Sequence, residues 1–538
     1  MGSIRARLSV MMFLQYFVWG SWGVEIGRYM TGELGFTGVQ LGFVGTSTAI
    51  ATMVSPWFMG YVADRFFSTE KILALLHLIG AVLLGCAAST KYLLATWPDA
   101  QNQFNILYPV MIAYALVFMP TLALTNSISF ENIKDPEKEF PIIRVFGTLG
   151  WIAAGLFVGF ILKATPESML YPYITAVVSA DGVFFRANNF IVMAAGSSAL
   201  LGLYCLTLPY TPPKRTDPVA RQGDRKSILG LLADRSFLVF TIASFLICIP
   251  LAFYYNLANV FLDETDAPWP TALQTIGQMS EVFFMAAMPF FIAKMGVKRM
   301  LTVGMLAWVL RYACFGSLNF SLTVIGLLLH GVCYDFFFVA SQIYVDGKVD
   351  ASQRARAQGF LAVVTLGLGM FVGGILAGYT RDLYPPIRAA TVDPTGEPIV
   401  DKDGKPVLAG LPNWDPTGES GFAKDLGLTK NDTLDLDQFP KKYTDSNTHI
   451  TYLRNDLALT LMRAGADADH DQRFSRPEWR KAQESDWHHI WLWPGVGAGL
   501  TLVFFWLGFR DKVSPSQLNH MVRETPLGAG EGSEPQVG

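Results

Sequence analysis

Hydrophobic positions in this chain come in blocks rather than stripes. Predominantly apolar runs of helical length recur near residues 8–29, 40–62, 71–90, 105–129, 143–162 and 189–208. A polar stretch, PYTPPKRTDPVARQGDRKS, follows them, and further apolar runs lie near 236–262, 272–293, 299–318, 322–345, 357–379 and 489–509. Crossing a bilayer as a helix takes about 20 apolar residues. Each run therefore predicts one transmembrane helix, and the pattern predicts an all-α membrane protein of twelve transmembrane helices, six on each side of the polar stretch. Between Thr380 and Trp487 the hydropathy collapses, which predicts an inserted domain outside the bilayer. The expected divisions are a first bundle (1–209), a linker (210–235), helices seven to eleven of a second bundle (236–379), the insertion (380–487), a twelfth helix (488–512) and a tail (513–538). The tail ends in LGAGEGSEPQVG, too polar and glycine-rich to fold.

The halves echo one another. GTLGWIAAGLFVG, Gly147 to Gly159, is similar to TLGLGMFVGGILAG, Thr365 to Gly378, and each enters an apolar run after a charged loop. Glycines at such spacings let helices approach closely, as expected of paired repeats that rock about a central site. Chance similarity of apolar sequence is the alternative.

Composition agrees with the pattern. Of 538 residues, 51% are hydrophobic and 16% charged, with a mean hydropathy of +0.33, which describes a multi-spanning membrane protein. The net charge of −3 and the absence of a long basic run argue against nucleic acid as a partner. The five cysteines lie in apolar segments without a CxxC spacing and read as core residues. MGSIRARLSV leads into Met11–Val24 without a cleavage-site pattern, so the first helix is expected to be retained. Cations concentrate on alternate loops, among them Arg65, Lys71, Lys214, Arg225, Lys298, Arg299, Lys348, Arg354 and Arg510. That side is predicted cytoplasmic, with both termini and the linker, and the insertion is then extracytoplasmic.

Charge inside the apolar runs marks the candidate chemistry. Asp335 sits mid-way along LTVIGLLLHGVCYDFFFVASQIYV, where a carboxylate survives by facing a cavity, pairing with a cation or taking a proton. A structural hydrogen bond between helices is the other reading. On the fifth helix Arg144, Thr148 and Trp151 share a face at i, i+4 and i+7. Gln278 and Glu281 are helical neighbours on the eighth, and His330 and Tyr334 share a face on the tenth beside Asp335. One arginine and two acids neutralise each other incompletely, leaving a carboxylate able to load and release a proton. A static ion-pair network is the alternative. Trp19, Trp22, Trp151, Tyr254, Tyr255 and Tyr334 offer faces for a heteroaromatic ligand, unless they are packing or interfacial belts, and Glu25 reads as interfacial.

The insertion carries DADHDQRFSRPE, with Asp467, Asp469 and Asp471 at positions one, three and five and Glu478 at position twelve of an EF-hand-like calcium loop. The Arg473 carbonyl falls at position seven and Phe474 is the apolar anchor. Gln472 stands where glycine normally makes the turn. A decayed second loop, GLTKNDTLDLDQ, spans Gly427 to Gln438 and is not expected to bind metal. An acidic surface turn without metal remains open for the first.

GYVADRFFSTEK, with Gly60, Asp64 and Arg65, resembles the loop between helices two and three of the major facilitator superfamily. FLQYFVWGSW, FMPTLALTNSISF, FPIIRVFGTLGW, QMSE and YDFF narrow the resemblance to the bacterial nucleoside:proton symporter family, over all twelve helices but not the insertion. The resemblance implies the major facilitator fold of two six-helix pseudo-repeats in the bacterial cytoplasmic membrane, acting as a monomer on a nucleoside and protons, with no cofactor for transport. Calcium at the insertion is a separate expectation. By the resemblance Arg144, Thr148, Trp151, Gln278, Glu281, Tyr334 and Asp335 line the nucleoside site. The seventh helix departs from the family: Ala252 and Tyr255 stand where nucleoside transporters carry glutamine and asparagine, with Asn256 and Asn259 nearby. His330 replaces a tyrosine. Lost amide partners weaken recognition of a base, so the substrate is the least constrained expectation. A proton-coupled sugar or metabolite symporter and a calcium-responsive membrane sensor are the competing readings. An enzyme is the weakest, because His488 and His489 beside Trp487 read as interfacial.

Overall fold

A computed structural model describes residues 2–58, 68–93, 100–134, 136–162, 189–212, 228–349 and 353–393. Beyond these it describes 395–400, 406–412, 425–428, 433–435, 439–444, 451–467 and 473–510, with the single residues 404, 414 and 471. Gly60, Asp64, Arg65, Asp469, Gln472, most of the linker and the tail lie outside the described residues.

The chain forms two compact units, Met1–Val260 with Pro268–Thr380 and Trp491–Gly538, and Phe261–Ala267 with Arg381–Ile490. The larger is helical. Its elements are α1 (Gly2–Gly23), α2 (Gly38–Phe58), α3 (Thr69–Leu93), α4 (Ala100–Asn132), α5 (Pro136–Leu156), α6 (Asn189–Cys205) and α7 (Arg235–Glu264). A run over Pro270–Gly316 then breaks at Gly296 (φ 70°, ψ 167°) into α8 and α9. Only glycine adopts that conformation cheaply. α10 (Phe320–Tyr334) continues through Asp335–Val339 with wider π-type bonding into Ala340–Asp346, and α11 (Arg354–Ala362) does the same through Val363–Gly369 into Met370–Leu383. Every apolar run overlaps a helix. Seven helices among the described residues are long and apolar enough to cross a membrane.

Each helix buries one side and presents large apolar side chains outward, as at Leu75, Val82, Leu203, Phe283 and Leu507. In lipid every backbone polar group must be satisfied internally; Pro250 lies inside α7, and its carbonyl also accepts from the Tyr312 hydroxyl of α9 at 2.5 Å. The two glycine-rich segments make equivalent contacts. In α5 and its π-bonded extension, Gly150 lies against the α1 backbone at Phe13 and Gly159 against Ala272 of α8. In α11, Gly373 lies against Ile249 and Ala252 of α7, and Gly374 and Gly378 against Gly42 and Gly38 of α2. Each touches the first helix of its own half and the second helix of the other. A side chain at these points would meet backbone atoms, so the glycines set how closely the helices approach.

The smaller unit has its own core, including Trp414, Leu434, Phe439, Tyr452, Leu457, Phe474 and Trp479. Three antiparallel strand pairs surround it: β1 (Arg388–Ala390) with β2 (Leu408–Gly410), β3 (Thr433–Asp435) with β6 (Arg473–Ser475), and β4 (Lys442–Thr444) with β5 (Thr451–Leu453). α12 (Arg454–Arg463) precedes β6, and α13 (Arg476–Ala482) follows it. Ser475 caps α13, its hydroxyl and amide both bonded to Glu478 Oε2 at 2.7 and 2.9 Å. α14 (Trp487–Gly508) returns the chain to the apolar helices. At the base of the unit Glu264 pairs with Arg381 at 2.9 Å and accepts from the Ser485 amide and the Trp487 indole at 2.8 and 2.9 Å. Asp266 accepts from Arg480.

Candidate functional site

A cavity of about 170 Å³ opens between the two helical halves. Trp19 and Trp22 of α1, Trp151 of α5, Tyr255 and Asn256 of α7 and Tyr334 of α10 line it, with Gln342 and Gln358 toward the far ends of α10 and α11. The Trp19 and Trp151 rings meet edge to face at 5.3 Å, and the Trp22 indole donates to Tyr114 at 3.1 Å. Ile26, Met30, Leu41, Leu122, Leu361 and Met370 make much of the rest of an apolar wall in which the aromatic rings offer flat faces to a planar ligand.

Of the predicted residues, Trp151, Tyr255, Asn256 and Tyr334 form the cavity wall. Arg144, Gln278, Glu281, His330 and Asp335 are buried in the helices around it, and Thr148 is partly buried. Arg144 stacks on the Tyr16 ring at 4.3 Å. Asp335 has no exposed surface and begins the π-bonded stretch of α10. Such local widening of a helix is frequent at functional sites because it re-aims one side chain. Asn256 donates to the Ala252 carbonyl at 2.7 Å and packs over Gly45 of α2, where any side chain would collide with its amide.

His330, fully buried on α10, stands 3.9 Å from Glu281 of α8, Nε2 to Oε2. Its Nδ1 meets Arg311 Nη1 at 3.0 Å. Arg311, fully buried on α9, lies flat on the Tyr254 ring at 3.5 Å. The sequence reading does not single out Arg311. The signal was available, because a charge inside GMLAWVLRYACFG is as costly as one at Asp335. Glu25 likewise proves to be buried rather than interfacial. It accepts from Arg28 at 2.5 Å and from the Thr271 hydroxyl, which in turn accepts from Asn259 at 3.1 Å. This chain of bonds joins the segment that follows α1 to α7 and α8 across the halves. In the first half Gln15 bonds both Thr121 and His77, at 2.7 and 2.8 Å. In the smaller unit Asp467 is buried and Asp471 is exposed, and His489 is bonded to Asp486 at 2.6 Å.

Comparison with known proteins fits this architecture. A sequence model described as nucleoside H+ symporter matches residues 2–387. The transporter YegT of Escherichia coli (strain K12) is 41% identical over 69% of this chain and 83% of its own length. A xanthosine permease from the same organism is 34% identical over 71% of this chain and 89% of its own length. Among solved structures, a mutant of the nucleoside transporter NupG superposes with a TM-score of 0.63 at 22% identity, covering 94% of this chain and all of the other. A second NupG crystal structure gives 0.57 at 27% identity, over 73% of this chain and 93% of that one. The fold is that of the major facilitator transporters, and the chain belongs to the nucleoside H+ symporter family, a family of transporters and not of enzymes.

Proposed function

We propose that this chain imports nucleosides across a bacterial cytoplasmic membrane by symport with protons, through alternating access of two six-helix halves about the aromatic cavity. The observation that carries the reading is the conjunction of a cavity between the halves, with Trp19, Trp22, Trp151, Tyr255 and Tyr334 in its wall, and buried ionisable groups beside it, Glu281 on α8 and His330 and Asp335 on α10 with Tyr334. In this reading Trp151, Tyr255 and Tyr334 contact the base and Asn256 offers an amide. Glu281 and Asp335 exchange the proton and meet ribose hydroxyls, while Arg144, Thr148, Gln278 and His330 complete the polar surround. Gly60, Asp64 and Arg65 act in the loop that changes shape between states. The twelve apolar runs all span, the termini are cytoplasmic, the insertion lies outside, and one chain suffices.

The test is uptake of labelled nucleosides into proteoliposomes under an imposed pH gradient, with a panel of sugars as competitors. Gradient-dependent nucleoside accumulation is expected, and Asp335→Asn is expected to abolish it while leaving exchange of internal for external nucleoside. Accumulation of sugars alone would overturn the substrate assignment, and undiminished accumulation by Asp335→Asn would remove that residue from coupling.

For the insertion we infer an EF-hand-like calcium module. Its support is the pairing of β3 with β6, which joins positions seven to nine of the decayed loop to the same positions of the acidic loop, with Leu434 and Phe474 buried at position eight of each. Asp467, Asp469, Asp471, the Arg473 carbonyl and Glu478 are the oxygen donors. Oxygen is the donor calcium prefers.

A further inference from the structure

We propose that Arg311 is a positioning residue for proton coupling: it locks His330 in the one tautomer that turns an N–H toward Glu281. The inference rests on the reading of Glu281 as a coupling carboxylate.

Arginine has five N–H donors and no acceptor. At 3.0 Å from Nη1, His330 Nδ1 must therefore be the acceptor, which puts the ring hydrogen of the neutral imidazole on Nε2. That nitrogen faces Glu281 Oε2 at 3.9 Å. A movement of less than an ångström brings the pair within the usual N–H to O range of about 2.7–3.2 Å.

Neither partner is free to turn away. Arg311 lies between Tyr254, at 3.5 Å, and the rings of Trp308 and Phe315, both at 5.5 Å. Its Nε and Nη2 make no hydrogen bond among the described residues. The His330 ring is flanked by Tyr254 at 5.3 Å and by Tyr334 at 5.7 Å. Gly277 on α8 faces the His330 Cβ, and Gly331 on α10 faces the backbone of Ser280 and Glu281. The Ser280 hydroxyl also bonds the Leu328 carbonyl at 2.6 Å. The helices bearing Glu281 and His330 are thus held at close backbone contact where the two side chains meet.

The lock has a chemical consequence. With Nδ1 occupied by Arg311 and Nε2 already carrying hydrogen, the ring has no lone pair with which to take a proton from Glu281. It serves only as a donor to the anionic carboxylate. The proton that loads Glu281 leaves that carboxyl oxygen without passing through the imidazole, which keeps its own. Freed from Arg311, His330 becomes a competing proton acceptor beside the coupling acid. The groups that face it are Glu281 on α8, Arg311 on α9, Tyr254 on α7 and Tyr334 on α10.

Nitrogen-15 histidine NMR of the full chain in nanodiscs tests the lock, with the His330 signal assigned by its loss in His330→Gln. The expected wild-type spectrum shows a single neutral Nε2–H tautomer that does not titrate with pH. In Arg311→Leu the signal is expected to become a tautomer mixture that does titrate. Gradient-driven uridine accumulation should fall about ten-fold or more, as for losing one hydrogen bond to a charged group, with uridine exchange retained. Arg311→Lys, which keeps a donor, should restore both. A wild-type Nδ1–H tautomer or mixture overturns the proposal without any variant having to fold, as does unchanged accumulation in Arg311→Leu. Glu281→Gln separates the two levels: if it still accumulates uridine, the reading of Glu281 fails, whereas an inactive Glu281→Gln with a mixed wild-type tautomer rejects the Arg311 lock alone.

Discussion

Glu484 shows how one half-buried carboxyl makes a structure sensitive to pH. It lies between α13 and α14, outside the apolar helices, where burial raises its pKa from 4.5 to about 7. Repulsion from Glu264 and Asp266 adds to the shift, and Arg480 and Lys481 oppose it. A carboxyl whose folded-state value lies above its unfolded one favours folding most when protonated. Its contribution is complete below pH 4.5 and is lost as pH rises through about 7. Melting of the full protein between those limits is therefore expected to lose stability toward pH 7, and Glu484→Gln to flatten that slope. A slope unchanged by the substitution would assign it to another group. At this scale the sequence was informative wherever a charge interrupted an apolar run, as at Asp335 and Glu281. Arg311 obeyed the same rule in a run that drew no attention. Glu25 was not legible, because its partner Thr271 lies 246 residues away and only folding brings them together.

Helices were the most legible elements, because bilayer thickness fixes their length and lipid fixes their composition. The π-bonded stretches at Asp335–Val339 and Val363–Gly369 were not, since hydrogen-bond register within a helix answers to packing that no local pattern encodes. The glycine-rich segments announced close contact but not its partners. The contacts of Gly378 with Gly38 and of Gly159 with Ala272 lie at the same end of α2, α11 and α8 as the bonds from Glu25 to Arg28 and Thr271. Small residues let the halves meet there, and the Glu25 carboxylate holds them together. Hydrogen bonds to a charged group contribute about 1.5–3 kcal/mol each, and about 1.4 kcal/mol changes a two-state ratio ten-fold. Glu25→Ala is therefore expected to widen this end. Spin labels at Gly32→Cys and Leu318→Cys, in a background without native cysteines, should show a longer distance distribution than with Glu25 intact. An unchanged distribution would mean that glycine packing alone closes the halves.

At the scale of the whole molecule, the smaller unit combines Phe261–Ala267 with Arg381–Ile490. Glu264 terminates α7, Arg381 stands near the end of α11, and Trp487 begins α14; all three meet in one cluster of charge and indole contacts. Neither the hydropathy pattern nor the acidic spacing foretold the pairing of β3 with β6, which joins segments 40 residues apart. Asp467 accepts from the Asp471 amide at 3.2 Å, and Glu478 is engaged by Ser475. A ligand that binds the folded state at about 100 times its Kd adds about 2.7 kcal/mol of stability. Calcium is therefore expected to raise the melting temperature of the full protein, a chelator to reverse the rise, and Asp467→Asn with Asp471→Asn to abolish it. Magnesium should do less, because it demands stricter octahedral geometry and sheds its waters reluctantly. No calcium-dependent shift would leave the loop as an acidic turn held by strand pairing, while a shift that survives both substitutions would move the ion elsewhere.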